Sequence, residues 1–380
     1  MKESYKILIL FIIASILRLR FFFVSFLPFS TDSWPLIKNI QEIMQSGSLN
    51  SLPDTYDANW PASQIFSAIL AQALNLDPIL IAGIAFPLLG SFVVLVYYVF
   101  LRRIIGSNAA FIAALLLSFS GYNAFFSSSV TKETFSLTIF FIALFSFYLS
   151  LKDRRMIAIF ALASLALLFS HHFTYLNLML PIIFFTIAIV IKNITKEEKI
   201  SKTITYSTIY LLLLGLIYYF FISNLKIYNI VSFNQIFIFA SFQTFLLIIF
   251  IKLKIINSET VNFRGSFIVF IVILLSSYLS YRFNLLDATL LSNLWFETFF
   301  ISCILILFLS FKGYKSMVGE SKIFLLSFVT PFIAFYVYAV FAASFVDATT
   351  FSSRLLDFLL PASFPLAAIG LSQIKRKKMP

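Results

Sequence analysis

Residues 5–26 read YKILILFIIASILRLRFFFVSF, a run in which only Lys6, Arg18 and Arg20 carry charge. A helix rises about 1.5 Å per residue and the hydrocarbon core of a bilayer is about 30 Å thick, so this stretch is long enough to cross it. It is also longer than the apolar core of a signal peptide and has no small-residue cleavage site, so it reads as a retained first span. The rest of the chain extends the reading. Of 380 residues 61% are apolar and 12% charged, with 50 phenylalanines and a mean hydropathy of +0.98. Such a composition cannot build an aqueous surface. Backbone polar groups in lipid are satisfied only within helices or closed barrels, and uninterrupted apolar runs exclude the alternation of barrel strands. The expected fold is therefore an all-α polytopic integral membrane protein. The single cysteine, Cys303, excludes a disulfide framework and a cysteine-ligated metal site.

Apolar runs place about 12 spans, at 5–27, 78–101, 106–121, 133–151, 156–170, 173–191, 203–223, 230–251, 265–281, 290–311, 322–343 and 356–371. The runs 106–121 and 156–170 are near the lower limit for a span. With a cytoplasmic N-terminus, 21 of the 28 lysines and arginines fall in the inner segments, among them Arg102, Arg103, Arg154, Arg155 and the terminal cluster of Lys375, Arg376, Lys377 and Lys378. The positive-inside rule thus predicts both termini in the cytoplasm and one transmembrane domain over 1–380. The net charge of +12 is a topology signal and not a nucleic-acid footprint, because the bases form short clusters at the inner face.

The opposite face collects acids: Asp32, Glu42, Asp54, Asp57, Asp77, Glu133, Asp287, Glu297, Asp347 and Asp357, with both histidines, His171 and His172, at the same boundary. It also holds the one long loop, residues 28–77, and long loops in compact folds are usually functional. Two amphipathic helices are expected there, lying in the interface plane. In Pro35 to Ser46, Leu36, Ile37, Ile40, Ile43 and Met44 recur at helical spacing, and Gly47 ends the pattern. In Pro61 to Asn75, Ile65, Ile69, Leu70, Ala73 and Leu74 face one way and Ser63, Gln64, Ser67 and Gln72 the other. Asp32 stands just ahead of the first helix, where the positive helix end favours an ionised carboxylate. There it could serve as a base or simply cap the helix.

These features resemble the C-type (GT-C) integral-membrane glycosyltransferases, which draw a sugar from a polyprenyl-phosphate carrier on the extracytoplasmic face. The resemblance is carried by the first span ending in LRLR, by the acid and interface helix of STDSWPLIKNIQEIMQSGSL, and by YDANWPASQIFSAILAQALNLDP. SSSVTKETFSLTIFFIALF, LLFSHHFTYLNLMLP and SSRLLDFLLPASFPLAAIG continue it. The chain departs from the oligosaccharide-transferring branch: IKRKKMP follows the last span directly, and Asp32 stands alone where many relatives show an adjacent acidic pair. Sugar transfer from a lipid phosphate needs a base at the acceptor and cations at the leaving phosphate. By position the resemblance maps the base, or a metal-linked acid, onto Asp32, with Asp57 second. A divalent metal ion is the one cofactor such a site could require, and Asp54 with Asp57 has usable spacing, although two acids in a polar turn are more often merely solvated.

The donor phosphate would fall to Lys132, His171, His172 and Arg354, arginine supplying a planar fork and lysine a point charge. Lys132 beside Glu133, and Arg354 three residues before Asp357, could equally be ion pairs at the membrane border. Adjacent helical residues point about 100° apart, so one histidine would face a cavity and the other the headgroups. Arg18 and Arg20, each costing about 2.5–3.5 kcal/mol at mid-bilayer, either snorkel to the outer surface or pair inside the bundle with an acid, and their position two-thirds along the span favours snorkelling. The alternative function is a transporter or flippase for a lipid-linked or amphipathic solute. Against it, the halves show no clear repeat and the ionisable groups gather at one face. A structural subunit without chemistry is a third reading.

Overall fold

A computed structural model describes residues 1–49, 52, 59–195, 201–219, 305–306, 308–317, 319–342 and 345–376. Among them every regular element is helical. In chain order these are α1 (Glu3–Ser25), α2 (Ser33–Ser46), α3 (Ala62–Leu74), α4 (Pro78–Ile105), α5 (Ser107–Phe119), α6 (Gly121–Phe126), α7 (Lys132–Leu149), α8 (Arg155–Ser170), α9 (His172–Thr195), α10 (Lys202–Ile217), α11 (Gly319–Ala342) and α12 (Phe345–Arg376). Among the described residues, five stretches are long and apolar enough to cross a membrane: Glu3–Ser25, Pro78–Ile105, Lys132–Leu149, His172–Ile194 and Arg354–Gln373. The fold is all-helical and fits a membrane-embedded protein. The two short runs in the sequence form real but short helices, 13 residues in α5 and 16 in α8. At about 1.5 Å per residue these reach roughly 20 to 24 Å, less than the hydrocarbon core. The expected spans at 230–251 and 265–281, and most of 290–311, lie outside the described residues.

The chain forms two compact units, one of Met1–Thr186 with Ile200–Ile230 and the other of Ile187–Lys199 with Val231–Pro380. In the first, α1 lies along α4 through a stripe at every fourth position: Lys6, Leu10, Ala14, Arg18 and Phe22 are buried. The i, i+4 spacing keeps them on one face. Helix α4 answers with small residues. A side chain at Gly83 would meet the Phe22 ring at 2.3 Å, and one at Gly90 would meet the Ser127 carbonyl oxygen at 2.2 Å. At the N-terminal end of α1, Lys6 donates to Asn108 Oδ1 at 3.0 Å and pairs with Glu3, which also accepts from Ser107 at 2.5 Å and from Tyr98. Asp77 caps α4 by accepting from the Ile79 amide at 2.6 Å, with Pro78 at the first helical position.

Arg18 does not snorkel. It is fully buried, its Nε donating to Ser127 Oγ at 2.7 Å and its Nη2 to Asn123 Oδ1 at 2.9 Å. The break at Ser120 that separates α5 from α6 turns these two polar side chains inward, so the guanidinium is satisfied inside the protein and need not reach the surface. Arg20 does remain exposed, over the Phe21 ring at 4.5 Å.

In the second unit α11 packs on α12, and the helical segment 308–316 crosses α12 closely. A Cβ at Gly313 would lie 1.9 Å from the Leu366 carbonyl oxygen and one at Gly370 would lie 2.0 Å from that of Leu309. Ser310 seals the crossing by donating to Ser363 O at 3.0 Å.

Candidate functional site

The first unit gathers its chemistry at the end where α1 finishes. Phe26 closes α1 in a left-handed conformation (φ 55°), and the turn that follows leads into α2 at Ser33. Phe29 ties this turn down from both sides: its carbonyl accepts from the Val130 amide at 3.3 Å and from Ser33 Oγ at 3.0 Å. Val130 joins Leu36, Ile37 and Ile40 of α2, Ala68 of α3 and Ala82 and Phe86 of α4 in one apolar cluster. Burying the large side chains among these contributes roughly 1.5–3 kcal/mol each, which fixes α2 over the start of α7. Asp32 is exposed on this turn, and its carboxylate makes no capping bond to α2. The capping role open to it in the sequence is therefore not taken up.

Lys132 opens α7 behind the cap of Thr131, whose hydroxyl accepts from the Thr134 amide at 3.2 Å. Its side chain is turned inward, 6% exposed, with its ammonium 5.7 Å from the centre of the Trp60 ring. Trp60 is fully buried, and the His172 ring approaches it at 4.6 Å. A desolvated cation over an indole gains about 2 kcal/mol or more. Two tyrosines just beyond α10 brace the group. Tyr218 donates to the Asn59 carbonyl beside Trp60, and Tyr219 to the His172 carbonyl at 3.0 Å. Segments at 59–60, 132–136, 171–174 and 218–219 thus converge on one place.

The histidines differ from their expected arrangement. His171 is not helical; it ends α8 in an extended conformation (φ −164°, ψ 120°) and is buried, while His172 begins α9 half-buried. Their rings meet edge to face at 5.1 Å. Neither is cast out to the headgroups as a pure surface residue: the His172 ring lies against Trp60, and His171 is buried against His172 and Thr174. His171 Nδ1 lies 2.7 Å from Thr174 Oγ1, and Ser136 Oγ lies 2.9 Å from both Thr174 Oγ1 and the Glu133 carbonyl oxygen.

Each hydroxyl has one hydrogen, so this chain has two settings. If Ser136 donates to Thr174, Thr174 donates to Nδ1 and the imidazole proton sits on Nε2. If Ser136 donates to the Glu133 carbonyl, Thr174 donates to Ser136 and Nδ1 carries a proton that it gives to Thr174. The wire can therefore follow a change of tautomer or protonation at His171 without breaking.

Of the sequence-predicted residues, Lys132, His171 and His172 are brought together, and the Asp32 turn is tied to the segment leading into Lys132. Arg354 lies in the second unit, partly buried where the apolar stretch of α12 begins, with Asp357 fully buried one turn later. Asp54 and Asp57 lie outside the described residues. Among the described residues no three His, Cys, Asp or Glu side chains come together as metal ligands. Sequence reasoning passed over Trp60, Ser136, Thr174, Tyr218 and Tyr219. The only signals available were the three-residue spacing of His171 and Thr174 and the isolated tryptophan of NWP. No family model matches the chain, and no curated protein is significantly similar to it.

Proposed function

We propose that this protein is a polytopic membrane glycosyltransferase of about 12 spans, with both termini cytoplasmic, that moves a sugar from a polyprenyl-phosphate carrier to an acceptor at the extracytoplasmic face. The observation that carries the reading is the approach of Lys132 and His172 to the Trp60 ring, with His171 against His172, which brings three basic groups from two distant stretches of the chain to one end of a membrane-embedded unit. A buried lysine and two imidazoles suit a phosphate headgroup, and an apolar protein suits its lipid tail. In this reading the Asp32 carboxylate takes the proton of the acceptor hydroxyl or amide as that atom bonds to the anomeric carbon. The bond from that carbon to the carrier phosphate breaks, and its electron pair leaves on the phosphate oxygen, which Lys132 and the histidines stabilise. Arg354 is the remaining phosphate candidate and Asp57 the remaining acid.

A transporter of amphipathic solutes draws support from a different observation, the cation of Arg18 held inside the first apolar helix. Labelled-sugar transfer from a panel of polyprenyl-phosphate donors, in membranes carrying wild type, Asp32→Asn or Lys132→Met, tests the enzyme. The expected result is product from wild type, loss of turnover in Asp32→Asn and a raised donor KM in Lys132→Met. Product formed equally by all three would remove these residues from the reaction. Carrier movement across proteoliposomes without any transfer would favour the transporter.

A further inference from the structure

Helix α3 is built inside out. Its polar residues Ser63, Gln64 and Ser67 are fully buried together with Ala68 and Ala71. Its large apolar residues point away from the protein, with Ile69 60% and Phe66 37% exposed, Ile65 and Leu70 partly so, and Leu74 exposed at the end. The buried hydroxyls are satisfied locally, Ser67 donating to the Ser63 carbonyl at 2.9 Å and Ser63 to Gln64 Oε1 at 2.9 Å. Helix α2, packed beside it, has the opposite arrangement. It buries Leu36, Ile37 and Ile40 and exposes Lys38, Gln41 and Gln45.

In water α3 would be unfavourable, since about 25 cal/mol is lost for each Å² of apolar surface left exposed. In hydrocarbon the preference reverses: polar side chains belong against protein and apolar ones against lipid. Three further observations point to lipid as the occupant. Residues 62–74 contain no charged side chain, whereas α2 carries Lys38 and Glu42. The one exposed amide on α3, Gln72, turns back to donate to the Met44 carbonyl of α2 at 3.4 Å. The exposed apolar surface continues through Leu76 into Leu80 of α4, itself a membrane-length helix.

We infer that the outward face of α3 is immersed among the acyl chains of the bilayer, so that the membrane surface runs between α2 on the aqueous side and α3 on the hydrocarbon side. This inference places α3 deeper than the interface plane expected for both helices. The polar face of α3 meets protein and not water. At 13 residues, roughly 20 Å, α3 is too short to cross, so it enters the bilayer alongside α4 without spanning it. Trp60 stands two residues before α3, which puts the Trp60, Lys132 and His172 group at the edge of the hydrocarbon, where a ligand could arrive from within the membrane.

The test uses full-length protein in phosphatidylcholine vesicles with Cys303→Ser and single cysteines at exposed positions, Ile69→Cys on α3 and Gln41→Cys on α2, each carrying a nitroxide. Collision rates with oxygen, which concentrates in hydrocarbon, are compared with those of a water-soluble nickel chelate. The expected result is an oxygen-to-nickel ratio several-fold higher at Ile69 than at Gln41, recurring with helical period at Phe66 and Ala73. A nickel-dominated signal at Ile69 would place α3 in water and overturn the inference. Low accessibility to both reagents would show a protein partner on that face and overturn it equally. Neither result depends on glycosyl transfer.

Discussion

Arg18 offers the sharpest energetic test, because the Ser127 and Asn123 side chains that accept from it can each be truncated without disturbing the helix crossing. Ser127→Ala deletes the hydroxyl that accepts from Arg18 Nε at 2.7 Å but keeps the Cβ against which Gly90 packs. A buried donor that loses its acceptor costs about 1–3 kcal/mol, whereas hydrogen bonds between membrane helices average about 0.6 and reach about 1.7 kcal/mol. The charge on the guanidinium argues for the upper part of that overlap, so the expected loss is about 1.3–1.7 kcal/mol. In an Arg18→Met background the same change should cost less than about 0.5 kcal/mol, since Ser127 then has only the Asn123 carbonyl to serve, as it does already. The double-mutant cycle, read from unfolding free energies in mixed micelles, should therefore show a coupling near 1 kcal/mol. Costs that add to within about 0.5 kcal/mol would refute the buried pairing and return Arg18 to the surface.

Two further outcomes follow from the geometry. Gly90→Ala should gain roughly 0.5–1 kcal/mol of helix propensity yet lose more, because its Cβ would sit 2.2 Å from a backbone oxygen, and overpacking of this kind costs about 1–3 kcal/mol. A lowered unfolding midpoint relative to wild type checks it, and an unchanged one contradicts the close crossing of α4 and Ser127. Thr174→Val removes the hydroxyl between Ser136 and His171 while keeping the shape of the side chain. Nitrogen-15 spectra of labelled histidine should then show a shifted tautomer balance at His171 and little change at His172. A spectrum identical to wild type would show that the hydroxyl wire does not hold the ring.

The helical class, the long apolar first helix and the end of α2 were legible because apolar runs and Gly47 are local signals. The helix positions of α2 and α3 also followed from periodicity. Which way α3 turns did not, since an amphipathic pattern records two faces and leaves open whether protein, water or lipid meets each one. The same ambiguity hid Arg18. A cation seven residues from the end of α1 can reach the surface or be satisfied inside, and only the fold of the distant residues 123–127 decides between them. Lys132, His171 and His172 were chosen for their chemistry and their shared boundary. Trp60, which Lys132 and His172 approach, is a long-range contact that no spacing announces.

The central claim is that the group around Trp60 recognises a lipid-linked phosphate, and binding measures this without requiring the acceptor. Protein in nanodiscs would be titrated with a short-chain polyprenyl phosphate and with the matching polyprenol, for wild type and Lys132→Met. The account predicts that wild type prefers the phosphate and that Lys132→Met weakens phosphate binding about tenfold, near 1.4 kcal/mol, while leaving the alcohol unchanged. Equal affinity of wild type for phosphate and alcohol would contradict it.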